Sequence, residues 1–162
     1  MAALTGQTRV GIGFDVHPFS DEPTRRLVLG GVVVEGERGL AGHSDADVIA
    51  HAVADALLGA AGLGDLGEHF PDTDPQWRGA DSINLLAAVV TKVEAAGWLP
   101  VNVDVSVVLE APKLAPYRDR MQQRLSAAGV DVTLKAKRAE GLGALGRGEG
   151  IACWAVALVE HR

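Results

Sequence analysis

Arg9-Val-Gly-Ile-Gly-Phe-Asp-Val-His-Pro18 switches between large apolar residues and small or polar ones at every step. A period of two is the signature of a β-strand, because successive side chains leave opposite faces. The reading places Val10, Ile12, Phe14 and Val16 on one face, expected to be the core. It places Gly13, Asp15 and His17 on the other, where the small glycine leaves room around a carboxylate and an imidazole. Pro18 closes the strand.

Working outward, Arg26 to Val34 reads as two short strands around Gly30-Gly31, a hairpin signal. Ser44 is expected to open a helix, with Asp47 in a capping-box-like position. That helix should run to about Leu58 and stop at Gly59. Asp47, His51 and Asp55 stand at i, i+4 and i+8, a polar stripe on an otherwise apolar helix. The stripe either meets polar partners in the packed protein or is a solvated face; local sequence leaves both open. Asp15, His17 and His51 together are the ligand set of an open zinc site, whose fourth position is left for water or substrate.

The remaining elements follow from the same periodicities. A helix is expected from about Ser82 to Ala96, stopped by Gly97. Val101 to Leu109 alternates strictly and reads as a strand. A third helix should carry Leu114, Tyr117, Met121, Leu125 and Ala128 on one face, with Pro116 in its first turn. Val130 to Ala136 is a further strand. Ile151 to Val159 is continuously apolar and reads as a strand covered on both faces. About five strands and three helices predict an α+β sandwich over a single domain, residues 1–162.

Composition narrows the function classes. The chain is 48% hydrophobic and 22% charged, which is globular rather than disordered. Its net charge of −6 argues against a nucleic-acid surface. A polyanionic substrate would therefore need metals and backbone amides to hold it. Cys153 is the single cysteine and lies in a strand read as buried, so neither a disulfide nor a nucleophilic thiol is expected. No run is long and apolar enough to span a bilayer, and the first residues lack a signal peptide's apolar stretch. The cytoplasm is the expected compartment. His69 and His161 read as surface residues.

Three loops carry open readings. Gly141-Leu-Gly-Ala-Leu-Gly146 has the spacing of a dinucleotide fingerprint, but no βαβ unit remains to use it. The wider stretch to Gly150, with Arg147, is either a phosphate cradle or a flexible hairpin loop. Asp65 and the run Phe70-Pro-Asp-Thr-Asp-Pro75 either bind polyol hydroxyls or cap turns.

In series, several runs resemble the 2-C-methyl-D-erythritol 2,4-cyclodiphosphate synthase family. They are Gly11 to His17, Gly42 to Asp47, His51 to Leu58, Gly64 to Gly67, Phe70 to Pro75, Ala111 to Lys113 and Gly146 to Ala152. The resemblance implies a single mixed sheet with helices on one side, a ferredoxin-like sandwich. It implies a cytoplasmic homotrimer with active sites between subunits, and an axial cavity able to hold an isoprenoid diphosphate. It implies cyclisation of 4-diphosphocytidyl-2-C-methyl-D-erythritol 2-phosphate with release of CMP. By position, Asp15, His17 and His51 match the family's zinc ligands. Glu140 matches the ligand of a second divalent ion, Mg2+ or Mn2+. His43 and Ser44 match residues near the reacting phosphates, with His43 stabilising charge in the transition state. Asp65, Leu66, Gly67, Phe70, Asp72 and Asp74 match segments holding the methylerythritol part. Ala111, Pro112 and Lys113 match the cytidine pocket, and Arg147 matches a phosphate contact.

The chain departs from the family pattern at three positions. Arg138, in Lys135-Ala-Lys-Arg-Ala-Glu140, stands where a hydroxyl usually helps hold phosphate, and is expected near phosphate in the catalytic site. Ala144 replaces a common phenylalanine. Trp154 replaces a frequent glutamate facing the axial cavity. The competing readings are a metal-dependent phosphohydrolase and a non-catalytic trimer that binds an isoprenoid phosphate.

Overall fold

A computed structural model describes residues 6–162. The start of the leading segment, on which the reading of a missing signal peptide partly rests, lies outside them. The main sheet has four strands: β1 (Thr8–Pro18), β4 (Trp98–Val108), β5 (Asp131–Lys137) and β6 (Gly150–His161), in the order β1-β6-β4-β5. β6 is antiparallel to both β1 and β4, while β4 and β5 run parallel. A two-stranded hairpin, β2 (Leu27–Leu29) with β3 (Val32–Val34), stands apart. Helices α1 (Val48–Ala61), α3 (Ser82–Ala95) and α4 (Arg118–Ser126) carry the helical layer, with short helices α2 (Leu66–His69) and α5 (Gly143–Gly146) in loops.

The α+β class and the single mixed sheet are as the sequence implies. The ferredoxin-like detail is not. That sandwich follows a β-α-β-β-α-β order. Here α4 lies between β4 and β5, so the two are joined by a crossover and run parallel, and the main-sheet strands follow the order β-α-β-α-β-β. The glycine-rich segment 138–149 is likewise no hairpin loop. It joins β5 to β6, which are separated in the sheet by β4, and folds into α5.

β1 forms as expected but faces the opposite way. Val10 and Ile12 are 67% and 69% exposed, and Phe14 and Val16 lie on the same open face. The glycine side is the one that packs. A Cβ on Gly11 would sit 2.1 Å from the Ala56 carbonyl oxygen, and one on Gly13 would sit 1.9 Å from that of Ala52. Bare backbone on the strand meets the Ala52, Ala56, Ala60 ridge of α1, so helix and strand approach more closely than side chains permit. β6 is corrected in the same way. It is covered on one face only, because Trp154 and Val156 are exposed beside Phe14 and Ile12.

α1 begins later and ends later than its sequence suggests. Asp47 is its N-cap, accepting from the amides of Ile49 and Ala50, and Ala46 before it has a left-handed φ of 55° that blocks backward extension. The helix tolerates Gly59 and stops at Gly62, whose φ of 72° suits a glycine C-cap. It is buried on nearly every side between sheet and α3, which explains its almost wholly apolar sequence.

Candidate metal centre and the cavity beside it

The close contact of β1 with α1 sets His51, the residue before Ala52, against the end of the glycine face. Asp15 and His17 come next on that face, so both lie on the helix-packed side of the sheet. The Asp15 Oδ2 atom is 2.9 Å from His17 Nε2 and 3.0 Å from His51 Nδ1. One carboxylate oxygen thus faces two ring nitrogens. One ligand atom from each of the three residues lies within 4.8 Å of the others.

The hydrogen bonding around His17 decides what its inner nitrogen can do. Nδ1 is 2.8 Å from the Ala41 carbonyl oxygen, which can only accept, so Nδ1 carries the proton. Nε2 is buried and has no hydrogen-bond partner among the described residues, although Asp15 is close. Burial disfavours the charged Asp15, but bonds and charge from His17 and His51 outweigh it and hold the carboxyl at about 2. Burial likewise opposes a charged His17, and Asp15 outweighs it, raising the imidazole above its usual range. Two imidazoles, a carboxylate and an orphaned buried nitrogen fit a divalent cation, with the outer carbonyl fixing the ring as metal ligands require.

The rest of the α1 polar stripe also finds partners, which removes the solvated-face reading. Asp47 is fully buried and accepts from the amides of Gly30 and Gly31 in the hairpin turn as well as from its own helix. Burial and the Asp45 charge push its carboxyl up to about 6, against the pull of those amides. Asp55 accepts from the Leu66 amide at 2.7 Å and so ties the start of α2 to the helix.

A cavity of about 230 Å³ opens beside the three ligands. His17, His43, Ser44, His51, Leu66, Phe70 and Asp72 line it, together with Trp77 and Leu85. Phe70 and Trp77 meet edge to face, with centroids 4.9 Å apart. His43 Nε2 donates to the Asp74 carbonyl oxygen at 3.1 Å. Asp65 and Asp74 act as caps: Asp65 accepts from Glu68 at α2, and Asp74 accepts from Gln76 in the 3-10 turn Pro75–Trp77. Gly67 lies in α2 on the same segment.

A second cavity, of about 490 Å³, holds Ala111, Pro112, Lys113 and Arg138, with Leu109, Glu110 and Lys137. Arg138 donates to Glu110 at 2.9 Å, and Glu110 also accepts from the Gly141 amide. The Arg138 pair draws Glu110 below the usual carboxylate range. Glu140 is exposed with a φ of 54°, and Arg147 pairs with Glu149 at 2.7 Å. Within one chain, the expected binding residues that line these cavities therefore divide between the two, and Glu140 and Arg147 line neither. A larger cleft of about 760 Å³, between residues 20–27 and 33–38, includes none of them. Cys153 is buried, and His69 and His161 are half-buried rather than on the surface. His69 bonds the Leu63 carbonyl oxygen, and His161 packs on Trp98.

The YgbB family model matches residues 8–160. The chain belongs to the YgbB family. It is 57% identical over 155 residues to the 2-C-methyl-D-erythritol 2,4-cyclodiphosphate synthase of Bordetella petrii, a match spanning 93% of this chain and 94% of that one. Among solved structures it resembles the bifunctional IspDF of Campylobacter jejuni, with TM-score 0.92 and 38% identity, over 98% of this chain and 43% of that one. It also resembles the CDP complex of IspF from Plasmodium falciparum, with TM-score 0.82 and 28% identity, over 97% and 98% of the two chains.

In this YgbB chain several residues around the centre escape sequence reasoning. Ser82 and Asp45 lie behind His51: Ser82 Oγ is 2.8 Å from His51 Nε2, and Ser82 donates through its hydroxyl and its amide to Asp45. Trp77 and Leu85 wall the first cavity, and Glu110 anchors Arg138. The one available signal was a serine just inside a helix start that another residue, Asp81, already caps.

Proposed function

We propose that the chain is a metal-dependent 2-C-methyl-D-erythritol 2,4-cyclodiphosphate synthase, working in the cytoplasm as a homotrimer of single-domain subunits. The observation that carries the reading is the inward-facing donor set of Asp15, His17 and His51, in a chain 57% identical to a named synthase. These residues would hold zinc, and Glu140 would hold a second divalent ion, Mg2+ or Mn2+. A divalent ion supplies charge that polarises a phosphate oxygen.

The chain's own residues do the rest. Leu66, Phe70, Trp77 and Leu85 offer apolar wall to the carbon part of the substrate, and Asp72 offers an acceptor to its hydroxyls. Asp65, Gly67 and Asp74 shape the segments that carry these groups. His43 and Ser44 border the same cavity; the Ser44 hydroxyl, and the His43 ring when Nδ1 also carries a proton, can donate to phosphate oxygens as charge develops. Ala111, Pro112 and Lys113 form the pocket proposed for cytidine, with Arg138 and Arg147 as cations for phosphate. In the reaction a 2-phosphate oxygen attacks the β-phosphorus, a P–O–P ring closes, and the bond to CMP breaks. Holding both ends of one flexible molecule supplies the orientation that this step needs.

Two features support a trimer with shared sites. The binding residues divide between two cavities, and β1 with β6 exposes Val10, Ile12, Phe14, Val16, Trp154 and Val156 on one sheet face. Such a patch on a monomer marks an interface. A central cavity lined by this face would suit an isoprenoid diphosphate. Incubating the protein with zinc, magnesium and the cytidylated 2-phosphate should release CMP and give a cyclic diphosphate by 31P NMR. A linear product would turn the reading to a hydrolase. Bound metal without CMP release would turn it to a binding protein.

A further inference from the structure

We propose that Asp45 and Ser82 are positioning residues that fix which nitrogen of His51 carries the proton, and so set how tightly the centre holds its cation. The inference rests on the metal reading above. Ser82 is the first residue of α3 and is buried. Its hydroxyl has one proton, and that proton is given to the Asp45 carboxylate. The Ser82 oxygen can then only accept from His51 Nε2, 2.8 Å away. Nε2 is therefore protonated. Nδ1 presents a bare lone pair towards Asp15 Oδ2, 3.0 Å away.

With the ring neutral, these two lone pairs repel unless a metal ion lies between them; a doubly protonated ring would instead donate from Nδ1 to Asp15. His17 reaches the same state through the Ala41 carbonyl. The two imidazoles thus have their outer N–H groups held by separate devices, and only the one at His51 is made of side chains. The device is rigid at both ends. The Asp45 amide donates to the Ala80 carbonyl oxygen at 3.2 Å, Asp45 Oδ1 accepts from the Asp47 amide at 3.1 Å, and Asp45 Oδ2 accepts from the Ser82 amide at 3.0 Å. Ser44 Oγ also lies 3.2 Å from His51 Nε2, but it accepts from the Ala46 amide and has no carboxylate behind it in the hydrogen-bond network. A carboxylate–hydroxyl–imidazole chain also makes the inner nitrogen a stronger ligand.

The test compares Ser82→Ala, Ser82→Thr and Asp45→Asn with the unaltered protein. At a pH where the ring is neutral, long-range 1H–15N spectra of the metal-free protein should show His51 in the Nε2–H form, and a mixture of forms in Ser82→Ala. Zinc affinity, read by chelator competition, should fall about 10- to 100-fold in Ser82→Ala and recover in Ser82→Thr. An unchanged His51 form with unchanged affinity in Ser82→Ala overturns the proposal. So does Ser82→Thr binding as weakly as Ser82→Ala, since packing rather than the hydroxyl would then be responsible. If Ser82→Ala does not fold, Asp45→Asn decides: weaker zinc binding supports the relay and equal binding overturns it. If the unaltered protein takes no zinc, the metal reading fails, and the His51 spectra of the metal-free variants judge the relay alone.

Discussion

Replacing Gly13 by alanine should weaken both the fold and the metal centre, and the geometry gives the size of each effect. The new Cβ would begin 1.9 Å from the Ala52 carbonyl oxygen, and real Cβ contacts essentially never fall under 3.0 Å. The α1 backbone must therefore retreat by about 1.1 Å, since neither partner is a movable side chain. His51 precedes Ala52, so the retreat carries its imidazole away from Asp15. Metal ligands tolerate displacements of only about 0.2 Å. Overpacking of this kind costs about 1–3 kcal/mol, and a backbone clash belongs at the upper end. At roughly 2–4 °C per kcal/mol for a chain of this size, the melting temperature should drop by about 6–12 °C.

Gly59→Ala is the control on the same helix. Its Cβ would meet only the Ile12 carbonyl oxygen, at 3.7 Å, and a helical glycine exchanged for alanine should stabilise by about 0.5–1 kcal/mol. Circular-dichroism melts at one fixed concentration, with and without a chelator, and zinc titrations would measure both. A Gly13→Ala protein that melts with the unaltered one and binds zinc equally well would refute the account of β1 against α1.

Three further outcomes are expected. In metal-free protein, Asp15 titrates at about 2, below its ordinary value of 3.8, so the unfolded chain binds more protons between those values. Stability should be lost as pH falls from about 4 to 2, and Asp15→Asn should flatten that part of a pH–denaturation series. Ile12→Asp places a charge in the exposed apolar face, and sedimentation should show the proposed trimer dissociating; an unchanged assembly would mean that the face is not the interface. Arg138→Thr removes an ion pair whose arginine is exposed and screened by solvent, while Glu110 keeps its bond to the Gly141 amide, so its thermal melt and zinc affinity should match those of the unaltered protein.

The ligand set was legible because two independent periodicities point to it. A period of two puts Asp15 and His17 on one strand face, and a helical stripe carries His51. The side of the sheet they occupy was not legible. Alternation says which residues share a face, and apolar character ordinarily names the buried one. Here glycine and alanine form the packed face, while Val10, Ile12 and Phe14 lie open in the single chain. Parallel pairing of β4 with β5 was hidden for a similar reason, since element type does not fix strand order. Ser82 and Asp45 are separated by 37 positions, and nothing local joins a serine at one helix start to a loop aspartate. Asp65 and Asp74 show the converse: both sequence readings used the same residues, and only the fold shows them capping turns.

Asp47 fastens the first turn of α1 to the Gly30-Gly31 turn, and this makes the helix a lever with its fulcrum at that end. His51 is about 6 Å along the axis from the pinned residue, at 1.5 Å per residue, and Ala61 is about 21 Å along it. A tilt of about 5° would move the far end by about 1.8 Å but the imidazole by only about 0.5 Å. The ligand that must keep its distance to Asp15 rides close to the pivot, where a tilt of the helix displaces it least.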